Sequence, residues 1–244
     1  MPQITEFTFK TDKEFNSFTI PDTGIIKVFV EETQVTYWYL NKQRHREDGP
    51  AIYDNNGNEV YYKNGILHRE DGPAYVMNQN KKYYVNGVKH RDDGPAIERA
   101  NGEYSYYVNG LLHREDGPAD YIVSGIIAGT YFYRNGNKHR DDGPAFVGNN
   151  GEQEWYIDDL LHREDGPAFI DAYGQEFYYI NGKRHREDGP AGIMCNGVLN
   201  LYYVNDTRYY TKEKFDARVA VKDMTIEEIE DKLGHKINII DKQV

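Results

Sequence analysis

Seven histidines and fourteen carboxylates recur in this chain at a fixed spacing, and they are its clearest candidates for chemistry. Each histidine opens a copy of the heptapeptide His-Arg-(Glu/Asp)-Asp-Gly-Pro-Ala. Imidazole and carboxylate groups can ligate zinc-like ions, and arginine is a natural bidentate partner for phosphate. The recurring histidines are His45, His68, His90, His113, His139, His162 and His185, and the second acids of the motifs are Asp48, Asp71, Asp93, Asp116, Asp142, Asp165 and Asp188.

A metal site is not what this pattern favours. Within one copy the histidine and the second acid lie three residues apart in a turn, and no thiolate is near, since Cys195 is the only cysteine. Closed metal sites usually show several ligands at tight spacing. We expect no bound metal and no cofactor. The histidines and the second acids are therefore interpreted as structural parts of the repeat.

The arginine of each copy is a poor anion site, because two acids flank one positive charge. We expect it to form ion pairs between repeats, for example Arg69 with Asp48 or Asp93. Catalysis has little support, since no Ser, Cys or Lys stands in a unique constellation with a base and an orienting acid. The sequence predicts a protein that is not an enzyme.

The copies begin 23, 22, 23, 26, 23 and 23 residues apart, which makes this a tandem-repeat chain. We divide it into an N-terminal β cap over residues 1–35, seven repeats of about 23 residues over 36–200, and a C-terminal region over 201–244. The last region holds a partial eighth repeat and a helix-strand cap. Arrays of this kind need atypical terminal units to close their exposed ends.

Turn residues predict the course of the chain within a repeat. A strand such as Lys82–Val85 meets Asn86-Gly87, a strong signal for a tight turn with positive φ. A second turn follows at Asp93-Gly94, and Pro95 suits the start of the next strand. Two antiparallel strands per repeat predict a mostly β chain, an elongated β-hairpin array or meander with a small α+β C-terminal cap.

The caps have patterns of their own. Ile4–Lys10 alternates apolar and polar residues, and Ile25–Val30 is a second β-rich run. Residues 211–220 are compatible with a helix. Thr225-Ile-Glu-Glu228 reads as a capping box that opens a helix over 226–233, and residues 236–240 look like a strand.

The register Tyr-x-Asn-Gly-x-x-His-Arg-x-Asp-Gly-Pro-Ala resembles a family of tandem-repeat proteins of large bacteriophages, giant viruses and some bacteria. That family is similar to the MORN repeat, a short β-hairpin with an aromatic-x-Asn-Gly core. The Gly-x-Gly ending of a MORN unit is replaced here by Asp-Gly-Pro-Ala. The resemblance covers about two thirds of the chain. It implies a hairpin-repeat fold, a viral or bacterial origin, and a scaffold for protein contacts.

The net charge of −11 restricts the class of partner. Each motif contributes one negative charge, so the acidity comes mainly from repetition. Nucleic-acid binding needs a surplus of Lys and Arg, and anionic lipid headgroups also attract basic segments. We therefore expect neither direct nucleic-acid binding nor membrane association. The first fifteen residues do not read as a signal peptide, which favours a cytoplasmic location, in the host cytoplasm for a phage protein.

Positions where the copies differ are the candidates for partner binding. The residue before each motif histidine alternates between a cation and a leucine, and the fourth-to-fifth interval carries an insertion that is apolar for a loop. Insertions in repeat arrays often mark a binding face. Burial of the leucines under the twist of the array is the alternative reading. The predicted partner-binding residues are Leu67, Leu112, Leu161, Ile122, Ile126 and Ile127.

Together these features predict a non-enzymatic protein-interaction repeat protein. For a phage-encoded chain, we expect it to inhibit a host defence or regulatory protein by binding. Two alternatives stay open. One is a binder, or sponge, for small ligands or nucleotides in grooves between repeats. The other is a structural or virion component, which would make self-association part of its role.

Overall fold

The computed structural model describes residues 3–222, with side chains as far as residue 217. The chain divides into two compact units, the first ending at Asn150 and the second beginning at Gly151. Nearly all described residues lie in short β-strands and turns, joined by two short helices. The predicted class, mostly β with repeated antiparallel hairpins, is confirmed. The predicted helix over 226–233 and strand over 236–240 lie outside the described residues.

The first unit opens with a β-α-β cap. Its elements are β1 (Ile4–Phe9), α1 (Asp12–Ser17), β2 (Ile25–Val30) and β3 (Val35–Leu40). The two predicted strands are confirmed, but they pair in parallel, with α1 in the connection between them. The helix was not predicted from the sequence, although Thr11 provides an N-cap by accepting the Glu14 N–H.

The cap holds the largest apolar core of the described residues. In β2 every second side chain is buried, and Ile26, Val28 and Val30 are almost fully enclosed. Rings from β1, α1 and β3 pack on them, among them Phe9 and Phe15. The period-2 burial follows from the alternation of side chains along a strand.

The rest of the first unit consists of five copies of one pattern. Its strands are β4 (Gln43–Arg44), β5 (Ile52–Asp54), β6 (Glu59–Val60), β7 (Tyr62–Lys63), β8 (Ile66–Leu67), β9 (Tyr75–Met77), β10 (Asn80–Lys82), β11 (Tyr84–Val85), β12 (Val88–Lys89), β13 (Ile97–Glu98), β14 (Tyr104–Ser105), β15 (Tyr107–Val108), β16 (Leu111–Leu112), β17 (Asp120–Ile122), β18 (Gly129–Tyr131), β19 (Tyr133–Arg134), β20 (Asn137–Lys138) and β21 (Phe146–Gly148).

These strands form a meandering sheet and, separately from it, a series of small hairpins. One is an antiparallel meander in the order β2-β3-β5-β6-β9-β10-β13-β14-β17-β18-β21. The other is a row of small hairpins, β7–β8, β11–β12, β15–β16 and β19–β20. A typical repeat therefore contributes two strands to the meander and one separate hairpin.

The predicted single strand Lys82–Val85 is interrupted at Tyr83, which belongs to neither β10 nor β11. The Tyr83 N–H donates to the Ala96 carbonyl at 2.8 Å, and the Tyr83 carbonyl accepts the His90 N–H at 3.3 Å. The backbone of this aromatic residue thus closes the motif loop of its own repeat. The strand breaks because these bonds take the place of a ladder pairing.

The hairpins turn as predicted. Asn86 has φ 51° and Gly87 has φ 77°, the left-handed pair that a two-residue turn of this twist requires. Where the glycine is replaced, at Asn41-Lys42 and Asp158-Asp159, both residues still have positive φ. Asn and Asp tolerate this region better than other non-glycine residues.

The second unit continues the pattern for two repeats and ends in a helix. Phe215 of that helix is buried, with its ring centroid 5.0 Å from that of Tyr202 and 6.0 Å from that of Tyr209. The helix confirms the helix-compatible reading of residues 211–220. Its elements are β22 (Gln153–Glu154), β23 (Tyr156–Ile157), β24 (Leu160–Leu161), β25 (Phe169–Ile170), β26 (Glu176–Phe177), β27 (Tyr179–Ile180), β28 (Lys183–Arg184), β29 (Gly192–Met194), β30 (Leu199–Val204), β31 (Thr207–Tyr209) and α2 (Lys212–Lys222).

Outside the cap, most of the buried apolar residues of the repeats are alanines, and the larger ones in the first unit are Val60, Ile97, Tyr131 and Phe146. The alanine that ends each motif has no exposed surface, and its small side chain lets neighbouring backbone segments approach closely. The members of this set are Ala51, Ala74, Ala96, Ala119, Ala145, Ala168 and Ala191. Such a thin core leaves polar and aromatic contacts to hold the repeats together.

One pair of the meander is polar where its neighbours are apolar. Ser105 in β14 is 2% exposed, and its hydroxyl donates to the Asp120 carboxylate in β17 at 2.6 Å. Burial raises the pKa of the Asp120 carboxyl above its ordinary value of 3.8, and the Ser105 hydrogen bond offsets only part of this. The folded state therefore holds this proton more tightly than the unfolded state. Ionised Asp120 therefore destabilises the folded protein at pH values above its folded-state pKa. This destabilisation disappears below pH 3.8, where the carboxyl is protonated in the folded and the unfolded state.

We expect Asp120→Asn to raise the free energy of unfolding near neutral pH by up to about 1 kcal/mol, allowing for solvent screening of a half-buried group. Asparagine keeps an acceptor oxygen for Ser105 but carries no charge. Urea unfolding at several pH values measures the effect, and the difference from wild type should vanish below pH 3.8. The control Asp116→Asn should act in the opposite direction, because the Arg114 hydrogen bond lowers the pKa of Asp116. Equal destabilisation by both variants would contradict the assignment.

Candidate functional site

The arginine of each motif is stacked on an aromatic ring of its own repeat. Guanidinium carbon and ring centroid are 4.0 to 4.5 Å apart in all seven copies, close enough for a cation–π contact. In six copies the ring belongs to the single residue between a meander strand and the first hairpin strand, and in the first copy it belongs to Trp38 within β3. The seven pairs are Arg46 with Trp38, Arg69 with Tyr61, Arg91 with Tyr83, Arg114 with Tyr106, Arg140 with Phe132, Arg163 with Trp155 and Arg186 with Tyr178.

The edge of the same guanidinium is held within the motif. Arg69 Nε donates to Asp71 at 2.8 Å, so the predicted ion pair between repeats, with Asp48 or Asp93, is wrong. The other six copies have the same bond at 2.7 to 2.8 Å. The hydrogen bond from the arginine lowers the pKa of each second acid, as it does for Asp71. Two residues of separation in a tight bend make the local partner nearer than any partner in the next repeat.

The motif glycine makes room for this stack. None of these seven glycines has positive φ, so the bend itself does not require glycine. A Cβ placed on Gly94 would lie 2.9 Å from the Arg91 guanidinium carbon, and the other copies are similarly close at 2.9 to 3.4 Å. Each guanidinium therefore lies between an aromatic ring and a bare glycine Cα. We call this arrangement the arginine sandwich.

The motif histidine joins one repeat to the next. His68 Nδ1 accepts the backbone N–H of Asn86, which opens the following hairpin turn, at 3.0 Å. An Nδ1 that accepts a hydrogen bond carries no proton, so this imidazole is neutral with its proton on Nε2. Six histidines make this bond at 3.0 to 3.3 Å, namely His45, His68, His90, His113, His162 and His185.

A second bond reinforces each of these joints. The Gly87 N–H of the following turn donates to the carbonyl of Leu67, the residue before the motif histidine, at 2.8 Å. Nearby, the Arg69 N–H donates to the Tyr84 carbonyl at 3.0 Å. Successive hairpins are thus connected by main-chain bonds as well as by the imidazole. The contacts seen for the motif's histidine, arginine, second acid, glycine and alanine are all contacts of the fold.

Grooves lie between successive motif loops. One of about 720 Å³ separates the loops that begin at His113 and His139, and one of about 710 Å³ separates those at His45 and His68. Their walls carry arginines and aromatic rings, but also both acids of each motif. The motif guanidinium groups in these walls are already engaged by Asp and by a ring. The grooves therefore offer few free donors to an anionic ligand.

Within residues 3–222, no group of three or more His, Cys, Asp or Glu side chains is placed to hold a metal ion. Over the same part of the chain, no helix is long and apolar enough to cross a membrane. Cys195 has positive φ and lies exposed in the turn after β29.

The predicted leucine stripe is half-buried. Leu67 and Leu112 lie in the second strands of their hairpins, opposite Tyr62 and Tyr107, and Leu161 has the equivalent position in the second unit. In the alternate repeats the cation at this position lies over tyrosine, as Lys89 does over Tyr107 at 4.6 Å. The residue before the motif histidine therefore packs on a neighbouring tyrosine in both kinds of repeat, through an apolar contact where it is leucine and through a cation–π contact where it is Lys or Arg.

The predicted insertion segment is partly exposed. Ile122 is half-buried in β17, while Ile126 is 98% exposed and Ile127 is 56% exposed in the loop that follows. The Ile127 carbonyl accepts a hydrogen bond from the Tyr131 hydroxyl at 2.5 Å. The structure does not bring these residues together with the leucine stripe into one described cluster.

A row of exposed aliphatic residues, not predicted from the sequence, lies one position before the alternating leucine or cation. Ile66 is 50% exposed, Val88 is 41% exposed and Leu111 is 50% exposed, in three consecutive repeats of the first unit. We call these three residues the aliphatic ridge. The sequence contained a signal for this exposure. The residue after Asn-Gly directly precedes the leucine or cation in a strand, so the two side chains point to opposite faces.

A scan against protein-family models finds no match to the chain, and a search of curated proteins finds no matching relative. The likeness of the motif to the phage and viral repeat family therefore remains a prediction. What the repeats can do is argued below from their own geometry.

We expect Gly94→Ala to destabilise the protein by about 1 to 3 kcal/mol, because its methyl group would displace the Arg91 guanidinium from Tyr83. Urea unfolding of this variant, of Arg91→Ala and of the double variant tests the arginine sandwich. In the Arg91→Ala background the glycine substitution should cost little, since the crowded group is gone. An equal cost in both backgrounds would show that Gly94 is needed for another reason.

His90→Ala should open one joint between repeats. The Asn109 N–H loses its acceptor, 3.1 Å away, and its hydrogen exchange should become faster by about tenfold, the equivalent of about 1.4 kcal/mol. The Asn86 amide, held by His68, is the internal control and should keep its rate. Unchanged exchange at Asn109 would show that the imidazole does not protect that amide.

Proposed function

We propose that this protein is a non-enzymatic interaction module whose first unit binds a protein partner through the aliphatic ridge. One observation carries the proposal: three consecutive repeats expose an aliphatic side chain at the same hairpin position. Isolated exposed apolar residues are ordinary, whereas a contiguous apolar patch marks an interaction surface.

The ridge is continuous because each member packs against the turn of the next hairpin. Ile66 Cγ2 lies so close to Gly87 that a Cβ there would be 2.9 Å away, and Val88 makes the same approach to Gly110 at 2.8 Å. The glycine of each turn is therefore part of the surface. Two strands per repeat give the ridge residues a spacing of about 10 Å.

The ridge is also presented rigidly. Its hairpins are connected to each other by the imidazole bond and by the glycine N–H bond at 2.8 Å. A surface that is ordered before binding loses less conformational entropy when it binds. This favours recognition of another folded surface or an extended segment.

A small-ligand binder is the weaker candidate. Nucleotide capture would use the groove arginines, but each of them already has its face on a ring and its Nε on an aspartate. A ligand phosphate would have to compete with that aspartate. A nucleotide panel in a thermal-shift assay distinguishes the two functions, since a tight ligand must raise the melting temperature.

The motif resemblance adds a finer proposal. For a phage-encoded chain, the partner is a host defence or regulatory protein in the host cytoplasm, and binding blocks that protein by covering its surface. The proposal rests on the resemblance and on the ridge.

Affinity capture with a ridge variant tests the proposed function. The full tagged chain and its Ile66→Asp/Val88→Asp/Leu111→Asp variant are incubated with lysate of a bacterial host, and bound proteins are quantified by mass spectrometry. We expect the variant to retain at most about one tenth of the specific capture, because buried charges in an interface centre cost several kcal/mol.

The matched control is Tyr173→Asp/Val198→Asp, which places charges at two exposed apolar residues of the second unit that are 87% and 86% exposed. It should capture as the wild type does. Circular dichroism verifies that all variants are folded. Equal capture by the ridge variant, or no capture above the bare matrix by the wild type, would refute the function.

A further inference from the structure

The motifs of the ridge repeats also carry exposed carboxylates that make no hydrogen bond between repeats. We define the outer acidic row as Glu70, Asp92 and Glu115, the first acids of the three motifs concerned. Their side chains are 82%, 86% and 89% exposed. The arginine of each motif is bound to the second acid instead, so it does not neutralise the first.

The motif histidine connects the two rows. His68 Nδ1 accepts the Asn86 N–H at 3.0 Å, while its Nε2 lies 3.6 Å from the Glu70 carboxylate. Asn86 is followed by Gly87, on which Ile66 packs. One ring nitrogen thus faces the outer acid, and the other bonds to the turn on which the ridge residue packs.

The same relation recurs in the next two repeats. His90 lies 3.2 Å from Asp92 and bonds to Asn109, whose neighbour Gly110 meets Val88. His113 lies 3.9 Å from Glu115 and bonds to Asn135, whose neighbour Gly136 meets Leu111. One exposed aliphatic residue and one outer acid therefore recur in each repeat, connected through the motif histidine.

Charge accounting shows why the row is strongly negative. Each Arg–Asp pair of a motif is neutral overall, and an imidazole that accepts at Nδ1 is neutral too. One uncompensated negative charge per motif remains, and it is the outer acid. Among the described residues, the only charged-pair distances recorded for Glu70, Asp92 and Glu115 are to the Nε2 atoms of their own, neutral histidines.

We propose that the aliphatic ridge and the outer acidic row together bind a cationic protein segment, one that carries Lys or Arg side chains at intervals of about 10 Å beside aliphatic ones. This inference rests on the proposed function and specifies its partner. Complementary potentials of this kind steer association and select partners.

Other occupants fit this face poorly. A second copy of the chain would present the same acidic row and carries a net charge of −11, so copies repel each other here. Nucleic acids and anionic lipid surfaces are themselves polyanions and are repelled by a row of carboxylates. A basic protein surface satisfies both the charge and the apolar requirement.

The experiment is a selection from random peptides displayed on phage, panned on the immobilised full chain with prior depletion on the Ile66→Asp/Val88→Asp/Leu111→Asp variant. Peptides of about ten residues span three repeats in extended form. We expect the selected peptides to be enriched in Lys or Arg together with aliphatic residues. Their affinity, measured by fluorescence anisotropy, should fall steeply with salt.

Two variants with equal change in net charge separate local from general attraction. Glu70→Gln/Asp92→Asn/Glu115→Gln removes the outer acidic row and should weaken binding of the selected peptides by at least about tenfold, or about 1.4 kcal/mol. Glu6→Gln/Asp22→Asn/Glu31→Gln removes three acids of the N-terminal cap and should change it less than about twofold. Equal weakening by both variants would overturn the inference.

The remaining outcomes separate the inference from the function on which it rests. Ridge-dependent peptides that are neutral or acidic would refute the cationic partner and leave the interaction function standing. Failure to obtain any ridge-dependent peptide would count against both. A dimer of the wild type in analytical ultracentrifugation that the ridge variant abolishes would identify a second copy as the occupant and overturn the inference.

Discussion

The arginine sandwich is the interaction on which each repeat depends. A guanidinium lies between an aromatic ring and a glycine Cα, with its Nε fixed by an aspartate two residues later. Arginine suits this position because its planar group can stack and donate hydrogen bonds at the same time. The meander lacks a thick aliphatic core, so these contacts replace the apolar packing that normally shapes a sheet protein. They explain why Arg, Asp and Gly recur together in every motif.

A second set of contacts makes an array out of these units. The imidazole and the turn glycine connect each hairpin to its neighbour through backbone groups, which every sequence possesses. The joint therefore tolerates change at the variable positions, including the alternating cation and leucine. Once these contacts are assigned, few side chains of the repeat remain without a role in the fold. The exposed aliphatic residue after Asn-Gly and the first acid of the motif are two such side chains, and the motif histidine connects them.

Turn chemistry allowed much of the fold to be predicted. Asn86-Gly87 predicts a hairpin because few residue pairs adopt two positive φ values, and the pattern of Ile25–Val30 predicts a strand with one buried face. The break at Tyr83 and the helix α1 were not predicted. The break depends on hydrogen bonds between Tyr83 and residues of the motif loop, and the helix depends on the parallel pairing of the two strands that it connects. Local sequence patterns reveal neither. The ion pair of Arg69 was assigned to the wrong aspartate, because spacing alone does not show how sharply the loop bends.

The candidate site, too, was predictable from the sequence only in part. By itself the sequence determined the repeat, its hairpin turns and its surplus of acid, since these depend on residue type and on contacts within a few positions. Only the tertiary structure decided which residues are consumed by folding and which face outward. It showed Leu67 half-buried and its neighbour Ile66 exposed, and it placed Glu70 near the imidazole of His68 rather than against an arginine. The physical reason is that exposure and charge compensation depend on the stacking of one repeat on the next, and a repeat read alone contains no information about its neighbour's surface.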